Sequence, residues 1–187
     1  MPIVARPATV CGYSPRMRFD LSVNILTNHA VNRGKITVFG GAQTRPNIHI
    51  DDICDFYAAV LDAPAELVAG ETFNVGFQNH SILELAHIVR AVTAAHFPER
   101  GDVEIETTPT LDLRSYRVDS QKVADVLGFR PRRSIEDAVG DLCVAFRVGR
   151  FAAPPDDPRY NNVALMKQRG AQPNLISATR PPRVLAG

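Results

Sequence analysis

What this 187-residue sequence has little of narrows its class first. No stretch approaches the roughly 18 consecutive apolar residues of a membrane-crossing helix. MPIVARPATV at the N-terminus has no basic start, long apolar core or small-residue cleavage site of the kind a secretory leader carries. An excess of one charge is also missing, since 21 Lys and Arg against 20 Asp and Glu leave +1. So small a charge gives no footprint for nucleic acid or an anionic membrane as the main partner, whereas a small anion needs only a local site. Cys11, Cys54 and Cys143 form no C-x-x-C and have no His at ligand spacing, so neither a disulfide framework nor a metal site is expected. Each lies in an apolar pattern, where a free thiol behaves as a small buried hydrophobe, and a reducing, cytoplasmic setting follows as the expectation. Glycines never fall as G-x-G-x-x-G or G-x-x-G-x-x-G, the spacing that lets backbone approach a pyrophosphate at a helix start.

What is present is an ordinary globular composition, 45% hydrophobic and 22% charged, patterned as alternating strands and helices. Pro2 to Val10 reads as a strand running into a turn at Gly12 and Pro15, and Leu21 to Val31 as a helix stopped by Gly34. KITVFGG and RPNIHI read as two short extended segments. Asp51 and Asp52 open an amphipathic helix with Ile53, Phe56, Tyr57, Val60 and Leu61 on one face, ended by Pro64. ETFNVGF is strand-like, and Ser81 with Glu84 makes a capping box for the next helix. VEIETT is a further strand, Ser120 to Leu127 a short helix closed by Gly128, and Ser134 starts the last long helix. After Gly149 the text turns Pro-, Asn- and Arg-rich. There a short docked turn is expected near Tyr160 to Lys167, and disorder over Ala171 to Gly187.

Three segments carry a more specific signal: RPATVCGYSPRMR, KITVFGGAQTRPNIHIDDICDFYAAVL and DLRSYRVDSQKVADVLGFRPRRSIEDAV. In this order and spacing they resemble the extended short-chain dehydrogenase/reductase family, specifically its NAD-dependent sugar-nucleotide epimerases and dehydratases. The resemblance covers about residues 3 to 150 and only the C-terminal half of a family member. It implies an α/β fold: part of a Rossmann-type NAD(P)-binding sheet together with a small mixed α/β substrate-binding subdomain, over residues 1–150. A Pro-rich, largely disordered tail over 151–187 would follow.

By the same resemblance, Arg6, Pro7 and Ala8 lie on the strand end beside the nicotinamide, and Thr9 faces the sugar, with a packing role for Thr9 as the alternative. Arg45 would reach the diphosphate of a nucleotide sugar, a task that suits the planar guanidinium fork, against the plainer reading of a surface loop Arg. Asp112, Arg114 and Tyr116 would lie near the nucleotide or sugar, Asp119 would cap the short helix, and Arg130, Arg132 and Arg133 would form a solvated turn. The sequence departs from the family at Thr9, Cys11, Pro46, Asn47 and Pro109 to Leu111. His49 invites a general-base reading, but its place at a strand-to-helix junction points to packing and hydrogen bonding of the turn. Asp51 and Asp52 are explained by capping and the helix dipole.

The family's catalytic Tyr-x-x-x-Lys has no counterpart. Four residues after Tyr13, Tyr57, Tyr116 and Tyr160 stand Met17, Leu61, Ser120 and Ala164. No catalytic residue is therefore expected in this chain, and NAD, the family cofactor, is not expected to bind it alone. Three readings follow: an inactive portion of such an enzyme, one chain of a split enzyme completed by a polypeptide with the NAD domain, or a non-catalytic nucleotide-sugar-binding module. The split reading predicts exposed apolar surface on the first strand and helix.

Overall fold

The computed structural model describes residues 1–170, and the expectation for Ala171 to Gly187 lies outside them. Strands and helices alternate: β1 (Val4–Pro7), β2 (Thr9–Cys11), α1 (Ser22–Arg33), β3 (Lys35–Phe39), β4 (Thr44–His49), α2 (Ile50–Asp62), α3 (Ala65–Val68), β5 (Thr72–Val75), β6 (Gln78–Ser81), α4 (Ile82–His96), β7 (Glu104–Thr108), α5 (Gln121–Leu127), α6 (Ile135–Arg147) and α7 (Asn162–Gly170). β1 pairs with β5 and β3 with β7, both parallel, while β4 sits between a parallel β2 and an antiparallel β6. Parallel pairs joined through helices are the mark of an α/β fold, as the sequence implied.

The opening strand is two strands rather than one. Ala8 is buried and donates its N–H to the Val75 carbonyl, the last contact with β5; from Thr9 onward the chain pairs with β4 instead. The switch between sheets at Ala8 is set by partners distant in sequence, which local β-propensity does not encode.

Two cores lie on either side of this switch. Helices α1, α4 and α6 close over β3 around Val23, Ile36, Leu85, Val89 and Val139, while α2 and α5 cover the β1–β5 pair around Phe56, Phe73 and Val75. Capping follows the text at Ser81 and Ser134, which both form complete capping boxes. Asp119 accepts the Gln121 N–H at 2.8 Å and so serves the start of α5. At α2 the cap differs from expectation. The helix starts at Ile50, and it is the His49 imidazole, not an aspartate, that accepts the Asp51 N–H. Asp52 is buried and accepts the N–H groups of Arg132 and Arg133 at 3.1 and 2.9 Å, pinning the turn before α6.

Helix α2 also corrects the face read from its spacing. Ile53 and Phe56 are buried and Val60 half-buried, but Tyr57 and Leu61 face outward, Leu61 being 84% exposed. Exposed apolar surface thus lies on β1 (with Ile3 and Val4) and on α2, while the large apolar residues of the first helix, α1, are turned inward. Cys11 and Cys143 are buried as expected, but Cys54, on the outer face of α2, is exposed.

A third, aromatic cluster joins Phe19 and Tyr13 to Phe146, Phe151 and Tyr160, with Phe19 and Phe146 stacked at 5.6 Å. Through it, residues 151–162 pack on the segment between β2 and α1. The Phe19 N–H meets the Tyr160 carbonyl at 2.8 Å, and the Asn162 N–H meets Asp20 at 3.0 Å.

Two substitutions on α2 separate its faces. Phe56→Ala empties a fully buried position packed against Phe73 and Phe129 and is expected to cost about 3–5 kcal/mol. Leu61→Ser, one turn on and outward, is expected to change stability by less than about 0.5 kcal/mol. Urea unfolding followed by circular dichroism measures both.

Candidate functional site

The site is built where β2 ends. Gly12 carries φ +103°, and a Cβ there would sit 3.2 Å from both the His49 ring and Ile50, so the turn out of β2 needs glycine. The following segment is held by one buried side chain. Asn24, in the first turn of α1, accepts the Gly12 N–H at 3.1 Å and donates to the Arg18 carbonyl at 3.0 Å. Beneath this segment lies a cavity of about 540 Å³, lined among others by Pro7, Ala8, Thr9, Arg16, Arg18 and Tyr116.

Across α1 a second cavity of about 410 Å³ is lined by Ser22, Leu26, Thr37, Phe39, Arg45 and Asp112 among others. Between the two stand the start of α1 and a stacked pair, Arg45 with its guanidinium 5.4 Å from the centre of the Tyr116 ring. Arg45 donates to the Thr44 and Arg114 carbonyls and lies 3.6 Å from the Asp112 carboxylate. The 112–116 segment is laid along the start of β4. Gln43 is buried, accepts the Gly41 N–H and donates to the Asp112 carbonyl at 2.8 Å, and the Thr44 N–H bonds to Ser115. Arg114 clamps the Asp112 carboxylate with two bonds of 2.7 Å. That clamp, with the Arg114 N–H and the charge of Arg45, holds the Asp112 carboxyl well below the ordinary carboxylate range.

The residues singled out from sequence therefore gather in one region. Thr9 and Tyr116 line the larger cavity; Arg45 and Asp112 line the smaller. Arg114 joins them through Asp112 but projects outward, its side chain 82% exposed. Pro7 and Ala8 line the larger cavity, whereas Arg6 is exposed on β1. Sequence reading did not single out Arg16, Arg18 or Asn24. The first two were visible only as charges in a loop, and Asn24 only as a polar residue on the inner side of a helix.

His49 lies apart from both cavities. Its Nδ1 accepts the Asp51 N–H at 3.1 Å, and Nε2, fully buried, lies 3.2 Å from the Asp141 carboxylate without hydrogen-bond alignment. His49, Asp51 and Asp141 converge closely enough to suggest a cation site. However, Nδ1 is already committed to the helix start and Arg133 lies 3.3 Å from Asp51, so a resident cation supplies the positive charge. Its geometry is that of a junction between β4, α2 and α6.

Residues 1–76 match the model of the NAD dependent epimerase/dehydratase family. UDP-glucose 4-epimerase of Mycolicibacterium smegmatis is 28% identical over 145 residues, 75% of this chain and 44% of the relative. dTDP-glucose 4,6-dehydratase of an Actinoplanes strain is 26% identical over 140 residues, 74% of this chain and 42% of the relative. Among solved structures, UDP-glucose 4-epimerase of Thermotoga maritima, determined with UDP-glucose, superposes with a TM-score of 0.62 at 23% identity, covering 79% of this chain and 46% of that one. The chain thus spans less than half the length of each of these proteins. Among the described residues no helix is long and apolar enough to cross a membrane. The motifs and the match over residues 1–76 make the chain similar to the NAD dependent epimerase/dehydratase family, and its fold is shared with solved structures of that kind.

Proposed function

We propose that the chain is the substrate-side portion of an NAD-dependent epimerase or dehydratase acting on a nucleotide sugar, and that it is inactive alone. The observation that carries this reading is the Arg45–Tyr116 pair standing between the two cavities. A nucleoside would occupy the smaller cavity, the diphosphate would cross Arg45, and the sugar would enter the larger cavity against Thr9 and Tyr116. Arg45 is suited to this because its fork can pair two phosphate oxygens at once. In the free chain Asp112 holds it, with Arg114 as a second guanidinium on the same carboxylate. The start of α1 supports the same placement. Leu21 provides no side-chain cap and the first turn holds no acid, so helix N–H groups favour an anion there.

The dinucleotide itself does not fit the residues present. Among the described residues, β2 leads to α1 through a loop whose single glycine is Gly12, while β4 enters α2 through His49, β6 enters α4 through Ser81 and β7 leads to α5, all three without glycine. No strand therefore passes through a glycine-rich turn into a helix start, where a pyrophosphate would be held. Pro7 and Ala8, with Arg6 before them, offer a strand end against which a nicotinamide held elsewhere could rest.

A second reading, that another polypeptide supplies the dinucleotide-binding half in a cytoplasmic split enzyme, is favoured by β1. Among the described residues this strand pairs along one edge only, in a parallel two-stranded sheet, and Ile3 and Val4 at its start are exposed. Parallel strands are ordinarily covered by further structure.

Isothermal titration with UDP-, GDP- and dTDP-sugars tests the main reading. Arg45→Ala is expected to weaken nucleotide-sugar binding by about 10- to 100-fold with an unchanged circular dichroism spectrum; an unaltered affinity would refute the placement of the diphosphate. The Asp112 carboxyl supplies a pH test. Because its folded pKa is lowered, the group favours the fold above its ordinary value of 3.8, and this contribution is lost as pH falls through the folded value. By carboxyl-resolved NMR, Asp112 is expected to stay ionised below pH 3.8 and to titrate closer to it in Arg114→Ala.

A further inference from the structure

The loop between β2 and α1 is supported from two sides. On the side of α1, Asn24 holds Gly12 and Arg18. On the other lies the segment 151–162, outside the stretch of sequence that resembles the family. Two residues of the loop touch both a cavity and this segment. Met17, 3% exposed, lines the larger cavity and packs in the cluster with Phe19, Phe151 and Tyr160. Asp20 lines the smaller cavity and takes two bonds of 3.0 Å from Arg18, which lines the larger one. The same carboxylate accepts the Asn162 N–H at the start of α7, also at 3.0 Å. Burial alone would raise the Asp20 carboxyl, but the bonds from Arg18 and the Asn162 N–H outweigh it and hold the group below its ordinary value, so it stays charged.

The segment in turn has little else to hold it. Among the described residues, none of helix α7 is buried. Phe151 and Tyr160 each meet Phe19 with ring centres 5.2 Å apart, and the Tyr160 carbonyl takes the Phe19 N–H at 2.8 Å. Away from the loop, Phe151 lies 4.5 Å from the Phe146 ring of α6, and the Pro155 carbonyl accepts from Asn28 of α1 at 3.5 Å. The docked position of the segment and the shape of the loop therefore specify one another. Two parts joined in this way share a coupling free energy, which acts equally in both directions.

We infer that residues 151–162 form a strap on the loop between β2 and α1, with Asp20 as the positioning residue that links the strap to both cavities. A ligand that needs the loop in its docked shape holds the strap down, and a strap released from Asp20 weakens that ligand by the same factor. The inference rests on the nucleotide-sugar reading above for its ligand and adds the regulation of that site.

Asn162 permits a test of a single bond. It lines neither cavity and opens a helix, a position where proline is accepted. Asn161 before it lies at φ −130° and ψ 110°, in the extended region that a residue preceding proline favours. Asn162→Pro thus removes the N–H that Asp20 accepts, whereas Asn162→Ala keeps it. The full chain and both variants are titrated calorimetrically with UDP-glucose, dTDP-glucose and GDP-mannose, and hydrogen exchange is followed by mass spectrometry. In the unmodified chain, the nucleotide sugar that binds is expected to slow exchange over 13–20 and 151–162 together, while α5 keeps its rate. Asn162→Pro is expected to bind it about 10-fold more weakly than Asn162→Ala does and to exchange faster in both segments. Should Asn162→Pro fail to fold, the exchange pattern of the unmodified chain decides the matter by itself. Protection of 13–20 alone on binding, or equal affinities of the two variants, would overturn the inference and leave the nucleotide-sugar reading standing. Failure of all three nucleotide sugars to bind the folded chain would overturn that reading, and the inference with it.

Discussion

The site depends on one carboxamide. Asn24 is nearly inaccessible to solvent, and its two polar atoms tie together the end of β2, through Gly12, and the approach to α1, through Arg18. Without it, the buried Gly12 N–H would lose its partner, at a cost comparable to a lost hydrogen bond, and the partly buried Arg18 carbonyl would lose its tie to α1. With it, the residues between become a fixed wall that presents Arg16, Met17 and Arg18 to the cavity. The cavity side of the fold is thus shaped by a polar contact inside an otherwise apolar helix packing, a use of buried polarity that specifies one loop conformation.

The second organising element is β4, flanked by β2 on one side and β6 on the other. Its start carries Arg45 and receives the 112–116 segment. Its end, at His49, becomes the cap of α2 and faces Asp141 of α6. One strand therefore sets the arginine between the two cavities, a helix origin and a packing junction. The histidine at this place caps a helix through Nδ1 and packs Nε2 against Asp141.

Much of this was legible in the text because it is local. Helix starts at Ser81 and Ser134 are written in the capping residues themselves, and the stops at Gly34 and Gly128 in the left-handed conformation each adopts. The gathering of Thr9, Arg45, Asp112 and Tyr116 was readable only through family motifs, since their spacing in sequence says nothing of proximity. What stayed hidden is set by tertiary partners: the change of sheet at Ala8, and the outward turn of Tyr57 and Leu61 on a helix whose apolar stripe is wider than the core it covers. Strand β6, with Gln78, Asn79 and His80, has no apolar alternation and exists because β4 offers it an antiparallel edge. Arg16 was invisible for a related reason, since only the docked C-terminal segment distinguishes it from a charge in solvent.

That docked segment ties the site to a part of the chain far from it in sequence. The contact between Asp20 and Asn162 closes a span of 142 residues, and the aromatic cluster around Phe19 draws on Phe151 and Tyr160 in the same way. The two apolar cores draw on residues up to Phe146, whereas the cavity's loop also needs residues from Phe151 onward. Contacts of such separation are entropically expensive and form late. Loosening the docked segment would therefore loosen the mouth of the cavity while leaving both apolar cores whole.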